Sequence, residues 1–266
     1  MMPKSVSLVV TTYNWPQALE LVLISILKQS VLPDEVIIAD DGSKQETIDL
    51  VKRYQTTFPV PLIHSWQEDL GFRAARSRNL AFAKAKSDYI VMLDGDMVLH
   101  HHFIRDHKRA AAPNQFIQGR RVILTKPLTE QALESKQTLF SIFSSDVKNK
   151  ANTISCPLLS PIMSKLFSKQ SLRGIRSCNM AIWKSDLIKV NGFNEAFVGW
   201  GREDSEFVVR LFNNGLIRKD LRFGGVAYHL YHNENSRQNL EENDRLLEDA
   251  IKKNVKFCER GLADHL

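Results

Sequence analysis

Residues 5–40 read SVSLVVTTYNWPQALELVLISILKQSVLPDEVIIAD, and this stretch decides the fold class. Its apolar runs at Val6–Val10 and Glu35–Ala39 are nearly continuous, which is typical of strands buried on both faces. Between them, Pro16–Gln29 is helix-like and has a proline in its opening turn, where proline is favoured. The stretch therefore predicts a strand–helix–strand unit with parallel strands.

The same alternation continues beyond this unit. Strand-like runs follow at Pro61–Ser65 and Tyr89–Leu93, and helical stretches at Gln45–Thr57 and Arg73–Lys86. We therefore predict an α/β fold with a single, doubly wound, mostly parallel sheet flanked by helices. Ligands of such sheets bind beyond the carboxyl ends of the strands, so the residues directly after each run are candidates for a functional site.

The second half of the chain gives weaker signals. Residues 127–172 are rich in Ser, Lys and Leu, and we expect short helices and loops there that cover one face of the sheet. Beyond them, the pattern predicts strands at Arg176–Trp183 and Gly225–Tyr231, a helix at Glu203–Asn213 and a charged amphipathic helix over 236–259. No linker divides the chain, so we predict one domain over residues 1–266.

Composition excludes several classes of protein. With 266 residues, 43% hydrophobic and 25% charged, the chain is not disordered, collagen-like or a disulfide scaffold. The net charge of +6 suits an anionic partner, but no nucleic-acid-reading motif is visible. Three cysteines without a C-x-x-C pair predict reduced thiols. The sequence has no recognisable signal peptide and no apolar run near the ~20 residues of a spanning helix, so we expect a cytoplasmic protein.

The strand-like run at Tyr89–Leu93 ends in Asp94-Gly95-Asp96. Residues two apart on an extended chain point the same way, so both carboxylates can face one cation while Gly95 allows a tight turn. Carboxylates combined with substrate phosphates are typical ligands of Mg²⁺ or Mn²⁺. The alternative is an Asp-Gly turn closed by a second Asp. The apolar strand ahead of the motif favours the metal site.

Other strand ends also carry polar groups. The second run ends in Asp40-Asp41-Gly42-Ser43, which can bind a base or ribose or can simply cap the next helix. The first run ends in Thr11-Thr12-Tyr13-Asn14, which supplies hydroxyls and an aromatic ring but no glycine-rich phosphate loop. Arginines at 73, 76 and 78 stand at a predicted helix start, where they can hold a diphosphate or be solvated.

The loop Gly199-Trp200-Gly201-Arg202 leads into Glu203-Asp204 at the start of a predicted helix. Acidic residues in a first helical turn are favoured by the helix dipole alone, but the dipole does not explain the Gly-Trp-Gly before them. An aromatic ring beside a carboxylate suits a sugar, since the ring packs on the sugar's apolar face and the acid takes a hydroxyl proton. We therefore favour a functional loop.

Two histidines, His229 and His232, lie three apart in a strand-like segment. A neutral imidazole can complete a cation site with Asp96 and would favour Mn²⁺ over Mg²⁺, although each histidine alone is more often structural. The run at 100–102 is also histidine, but it lacks acidic companions and we expect polar surface there.

Taken together, these motifs resemble family 2 glycosyltransferases of the GT-A fold. The matching residues, in the family's order, are Thr11-Thr12-Tyr13-Asn14, Asp40-Asp41-Gly42-Ser43, Arg78-Asn79, Tyr89–Asp96 and Gly199–Asp204. The set is similar to the N-terminal transferase module of chondroitin polymerases. The last loop is also similar to that of the C-terminal domain of β-1,4-galactosyltransferases and of polypeptide N-acetylgalactosaminyltransferases.

The resemblance implies a role for each matched position. Substrate would be bound by Thr11, Thr12, Tyr13 and Asp41 around uridine, by Arg73 and Arg78 near the diphosphate or donor sugar, by Asp94 and Gly95 at the ribose, and by Trp200 and Gly201 at the sugar. The metal, Mn²⁺ or Mg²⁺, would be held by Asp96, Asp94 and His229, with His232 as the alternative to His229. Asp204 would be the catalytic base, and Glu203 would hold acceptor or donor hydroxyls.

The resemblance also implies an organisation and an activity. Residues 1–98 would form the nucleotide-sugar-binding half, 99–235 the acceptor-binding half with a variable insert at 127–172, and 236–266 a C-terminal helix. The activity would be inverting, metal-dependent transfer of a hexose or N-acetylhexosamine from a UDP-sugar to a growing surface glycan, such as lipopolysaccharide or capsule.

Three alternatives stand beside this activity and its location. A non-catalytic sugar-nucleotide or carbohydrate-binding subunit would be expected to lack the acidic residues that are present here. A nucleotidyltransferase is disfavoured because no glycine-rich basic loop follows the first strand. Apolar patches at 139–143 and 162–167 and the basic surface are compatible with peripheral contact with the inner face of the membrane, where lipid-linked glycan acceptors would lie, and a protein contact explains the patches equally well.

Overall fold

A computed structural model describes residues 2–233 and 238–266. The strands are β1 Val6–Thr12, β2 Glu35–Asp40, β3 Leu62–Trp66, β4 Tyr89–Asp94, β5 Met97–Leu99, β6 Gln115–Gln118, β7 Arg121–Leu124, β8 Val147–Lys148, β9 Asn179–Trp183, β10 Ile217–Asp220 and β11 Ala227–His229. The helices are α1 Pro16–Leu27, α2 Gln45–Gln55, α3 Ala74–Lys84, α4 Phe103–Ala110, α5 Lys126–Ser135, α6 Ser160–Phe167, α7 Lys184–Lys189, α8 Glu203–Asn213 and α9 Leu240–Lys252. Short 3₁₀ turns lie at Lys150–Thr153 and Leu262–His265.

In the described part of the chain, the central sheet has seven strands in the order β10-β6-β9-β4-β1-β2-β3. All neighbours are parallel except β9, which runs antiparallel to β4 and β6. This confirms the prediction of a mostly parallel α/β sheet flanked by helices. Thr11 lies beside Asp94 of β4 and Ala39 of β2, so three strands end at one edge.

The core explains why the first strands are apolar without alternation. On β1, Leu8 and Val10 pack into the cluster that contains Leu19 of α1, whereas Val9 packs on the other face with Phe82 of α3. All five side chains are buried. A strand covered on both faces is apolar at nearly every position, and that continuous signal made β1, β2 and β4 predictable.

A second, smaller sheet was not predicted. In the described residues it has four strands in the order β5-β11-β7-β8, so the expectation of a single sheet was incomplete. Only β11 lay within a predicted strand, at 225–231, because β5, β7 and β8 contain two to four residues, too few to give a periodic signal in sequence. This sheet brings His229 close to Asp96, because β11 pairs His229 with Met97, the residue after Asp96.

Some predicted elements have different bounds. The expected strand Arg176–Trp183 begins only at Asn179, because the backbone N–H of Arg176 instead donates to the side chain of Gln118. The expected strand at 225–231 is limited to Ala227–His229, and the C-terminal helix runs over Leu240–Lys252. Residues 236 and 237, where that helix was expected to begin, lie outside the described residues. The insert at 127–172 contains short helices and loops, as expected. Within the described ranges, no helix combines the length and hydropathy needed to cross a membrane.

Candidate active site

A cleft of about 1000 Å³ opens at the edge where β1, β2 and β4 end. Nearly all candidate residues line it, namely Thr11, Thr12, Tyr13, Asp41, Arg78, Asp94, Gly95, Asp96, Trp200, Gly201, Glu203, Asp204, His229 and His232. The structure does not place Arg73 on the lining. Its backbone N–H instead donates to a carboxylate oxygen of Asp41, at 2.8 Å.

The two adjacent acids after β2 have different surroundings. Asp40 is fully buried and accepts hydrogen bonds from the backbone of Ser43 and from His64, each at 2.8 Å, so it holds the turn. Asp41 faces the cleft, and burial raises its pKa to about 6. Gly42 has φ of +93°, and a Cβ there would lie 2.5 Å from the Cα of Asp69. The turn therefore requires glycine.

Gly95 brings the end of β4 close to β1. Its N–H donates to the carbonyl of Thr11 at 2.7 Å, and a Cβ would approach that oxygen to 3.0 Å. This close approach places Asp94 and Asp96 on either side of the turn. They consequently have different partners.

Asp94 belongs to a cluster around Arg78. The buried guanidinium lies 3.3 Å from Asp94 and 3.4 Å from Glu203, and its Nε donates to the Thr11 hydroxyl at 3.2 Å. Burial opposes the charge of Arg78, but the carboxylates of Asp94, Glu203 and Asp204 raise its pKa. Burial also raises the pKa of Asp94 to about 6 although Arg78 opposes the shift. Arg78 thus ties the end of β1 to the first turn of α8.

Asp96 belongs to a different cluster, with two histidines. Its Oδ2 lies 3.4 Å from Nε2 of His229 and 3.2 Å from Nε2 of His232, and all three ligand atoms fall within 4.8 Å of one another. The hydrogen bond to Asp96 raises the pKa of His232 to about 9, whereas burial lowers the pKa of His229. Asp94, expected as a further ligand, is not part of this group of three.

The donor set around Asp96 fits a divalent cation. Oδ1 of Asp96 is buried and has no hydrogen-bond partner among the described residues, which leaves a ligand atom available. One carboxylate and two imidazoles suit Mn²⁺ or a similar transition ion better than Mg²⁺, which prefers oxygen ligands alone. Both histidines named from the sequence are therefore placed where they can serve as ligands.

The loop before α8 brings Asp204 into the cleft. Gly199, Gly201 and Arg202 have φ values of +77°, +107° and +76°, which turn the chain sharply into the helix. Burial, followed by the charge of Glu203, raises the pKa of Asp204 to about 7. A carboxylate with a pKa near neutrality suits general-base catalysis. Trp200 is 39% exposed at the rim, where it can pack on a sugar.

Helix α9 holds this loop in place. The amide of Asn243 donates to the carbonyl of Gly201 at 2.9 Å, and Arg202 forms an ion pair with Asp244. A Cβ on Gly199 would lie 2.9 Å from Cβ of Asn239. This support was not predicted, because sequence pattern identified α9 as an amphipathic helix but not the surface that it covers.

Sequence analysis also missed Arg121 and Arg176, which line the cleft. Arg121 lies 3.4 Å from His229, with β7 and β11 as adjacent parallel strands. That pairing is long-range and joins two very short strands, so no local signal could have identified it. The histidine run at 100–102 lies off the cleft lining, as expected.

Comparison with known proteins identifies the family of this chain. The model described as glycosyl transferase family 2 matches residues 7–169, and a model described as the N-terminal domain of galactosyltransferase matches residues 159–233. The chain is 29% identical over 238 residues to a chondroitin synthase of Pasteurella multocida, covering 84% of this chain and 24% of that protein. It is 29% identical over 237 residues to a hyaluronan synthase of Pasteurella multocida, again covering 84% of this chain and 24% of the relative. The chain therefore spans about a quarter of the length of either synthase.

Among solved structures, the fold is similar to that of S. aureus TarS 1-349 in complex with UDP. The TM-score is 0.62 at 17% identity, covering 98% of this chain and 68% of that one. At this identity the likeness shows the fold, which is that of a GT-A glycosyltransferase. The family match covers more than half of the chain and includes the carboxyl ends of β1, β2 and β4. The chain belongs to glycosyltransferase family 2 and is an enzyme of that class.

Proposed function

We propose that the cleft transfers a hexose or N-acetylhexosamine from a UDP-sugar to a glycan hydroxyl, with inversion and with a bound divalent cation. One observation carries the proposal. Asp204, whose pKa is raised to about 7, lines the same cleft as the Asp96, His229 and His232 cluster. A base for the acceptor and a cation site for the leaving group are the two parts that this reaction requires.

The end of the cleft formed by β1 and β2 would hold the uridine. Thr11, Tyr13 and Asp41 supply hydroxyls, an aromatic ring and a carboxylate there. The Tyr13 hydroxyl donates to Asp69 at 2.9 Å, which fixes the ring at the cleft entrance. The UDP complex of the TarS structure supports a uridine diphosphate donor for a chain of this fold.

Asp96, His229 and His232 would hold Mn²⁺ or Mg²⁺. When bound, the cation would neutralise the charge that develops on the departing diphosphate. Asp96 supplies the anionic ligand, and the small sheet fixes His229 beside it. Arg121 lies next to His229 and adds positive charge at the same end of the cleft.

Asp204 would remove the proton from the acceptor hydroxyl as this oxygen attacks the anomeric carbon. Its Oδ1 accepts a long hydrogen bond from the Ser205 hydroxyl, at 3.5 Å. Glu203, beside Arg78, would hold a sugar hydroxyl, and Trp200 would pack on the ring. A base on one side of the sugar and a leaving group on the other imply single displacement, which inverts the anomeric centre.

The acceptor would be a growing surface glycan at the cytoplasmic face of the membrane. The relatives named chondroitin and hyaluronan synthase support a polysaccharide product. Exposed apolar side chains on and beside α6, including Leu158, Ile162 and Leu166, stand among the exposed basic residues Lys165 and Lys169. That combination complements an anionic lipid surface.

The test is UDP release by the purified chain over a panel of UDP-sugars, with Mn²⁺ or with EDTA. We expect one donor to be hydrolysed slowly without acceptor, and chelation to stop the release. Proton NMR of the transferred sugar would report the anomeric configuration. Turnover that is indifferent to chelation, or a product that retains the donor's configuration, would refute the proposal.

A further inference from the structure

The cleft lining contains an arginine that the proposed donor-binding and catalytic residues do not include. The lining contains four arginines in the described part of the chain, Arg78, Arg121, Arg176 and Arg202. Arg78 is paired with carboxylates of the cleft, and Arg202 is paired with a residue of α9. Arg121 and Arg176 form no ion pair with any acidic residue in 2–233 or 238–266. Arg121 nevertheless lies beside His229, and its charge lowers the pKa of Asp96, so it belongs to the proposed cation end of the cleft. Arg176 is exposed on the lining and has no carboxylate partner in the described residues.

Arg176 lies where an acceptor must arrive. It is exposed, and the residue that follows it, Ser177, lines the cleft together with Asp204 and has a backbone that lowers the pKa of that carboxyl group. The proton that Asp204 would accept comes from the acceptor hydroxyl. A side chain one residue before this contact is therefore placed to touch the incoming glycan. The proposed uridine contacts, by comparison, stand on β1 and β2.

We propose that the acceptor wall, defined as the part of the cleft lining that carries Arg176, recognises a negatively charged group on the acceptor glycan. Arg176 makes the direct contact, because its guanidinium can bind a carboxylate or a phosphate through two parallel hydrogen bonds. The inference rests on the proposed transferase function, since it assigns the acceptor class for that same site. A uronic acid and a glycan phosphate are the two sources of this chemistry.

The experiment measures equilibrium binding of matched oligosaccharide pairs to the full chain at low salt. One pair is an oligosaccharide that ends in a uronic acid and its carboxyl-reduced counterpart. The other is a phosphate-bearing oligosaccharide and its dephosphorylated counterpart. We expect at least one anionic member to bind about tenfold more tightly than its neutral partner, the size expected for a charge-assisted hydrogen bond. The pair that discriminates identifies the anion.

Two variants locate the effect. Arg176→Gln should abolish the discrimination, whereas Arg173→Gln should keep it, because Arg173 is exposed three residues away and does not line the cleft. Equal affinity within both pairs, no binding of any anionic glycan, or discrimination that survives in Arg176→Gln would overturn the inference.

A second series with saturating UDP and Mn²⁺ fills the proposed donor site. Discrimination that persists there supports the acceptor wall, and discrimination that UDP abolishes would overturn it by placing the glycan anion in the donor site. The binding series without UDP measures glycan affinity and does not require the chain to transfer a sugar. Failure of the transferase proposal would therefore appear as absent UDP release, separately from the result of the binding series.

Discussion

At the scale of single residues, the position of Asp204 in the cleft suits a catalytic base, but its ionised carboxylate lowers the stability of the folded chain. Burial and the charge of Glu203 raise its pKa to about 7 in the folded chain, compared with about 3.9 for an unfolded aspartate. The folded state therefore binds a proton that the unfolded state releases. Protonated Asp204 therefore contributes fully to the free energy of unfolding below about pH 4, and this contribution is lost as the pH rises towards 7.

Asp204→Asn should consequently stabilise the chain at pH 8 while it removes the base. We expect a gain of about 2 kcal/mol in free energy of unfolding, which shrinks towards pH 4. Thermal denaturation of both proteins across this pH range checks the sign. An Asn variant that is less stable than the native chain at pH 8 would show that Asp204 is ionised and well compensated in the folded state.

The cluster around Asp96 predicts stabilisation by a metal. A cation that binds only the folded chain raises the midpoint of thermal unfolding as its concentration increases. We expect Mn²⁺ to raise this midpoint in the native chain and to have little effect on His229→Ala. His102→Ala is the matched control, because His102 is a histidine outside the cleft that contacts Ser30. An equal Mn²⁺ effect in all three proteins would place the ion elsewhere.

At the scale of elements, α9 determines whether the catalytic loop keeps its shape. Asn243 is buried and its amide donates to the carbonyls of Gly201 and Val198, at 2.9 and 3.3 Å. Asn243→Ala leaves both carbonyls without this donor, and we expect a loss of about 2 kcal/mol in free energy of unfolding and slower UDP release. Glu248→Ala, on the exposed face of α9, should change the free energy of unfolding and the rate of UDP release only slightly. The only described ion pair of Glu248 is with the exposed Lys252. Native-like stability and rate in Asn243→Ala would refute the supporting role.

The elements also show what the sequence could predict. Strands β1, β2 and β4 were recognisable because burial on both faces makes them almost continuously apolar, and the motifs at their ends followed from the shared edge of a parallel sheet. The small sheet was missed because β5, β7 and β8 contain only two to four residues, so that only β11 lay within a predicted strand. Arg121 and Arg176 were missed for the same reason, since only long-range contacts bring them to the cleft.

At the scale of the whole molecule, the surface around α6 predicts where the enzyme works. Ile162 and Leu166 are 55% and 68% exposed, with Lys165 between them. We expect the chain to co-sediment with vesicles that contain anionic lipid but not with zwitterionic vesicles, and the double variant Ile162→Glu, Leu166→Glu to lose this binding. Ile251→Glu, at an exposed position on α9, should retain it. Equal sedimentation of all variants, or none with anionic vesicles, would exclude the proposed lipid contact.

The proposed function of the cleft depends on one claim. A base on α8 and a cation site at the end of β4 must act on the same reaction. The most direct measurement is the rate of UDP release from the preferred donor at pH 8 with Mn²⁺, for native chain, Asp204→Asn and Asp186→Asn. Asp186 is the matched control, an aspartate in the first turn of α7 that does not line the cleft. We predict a loss of about a hundredfold or more for Asp204→Asn, within the range of general-base catalysis, and a native rate for Asp186→Asn. A native rate for Asp204→Asn would contradict the account.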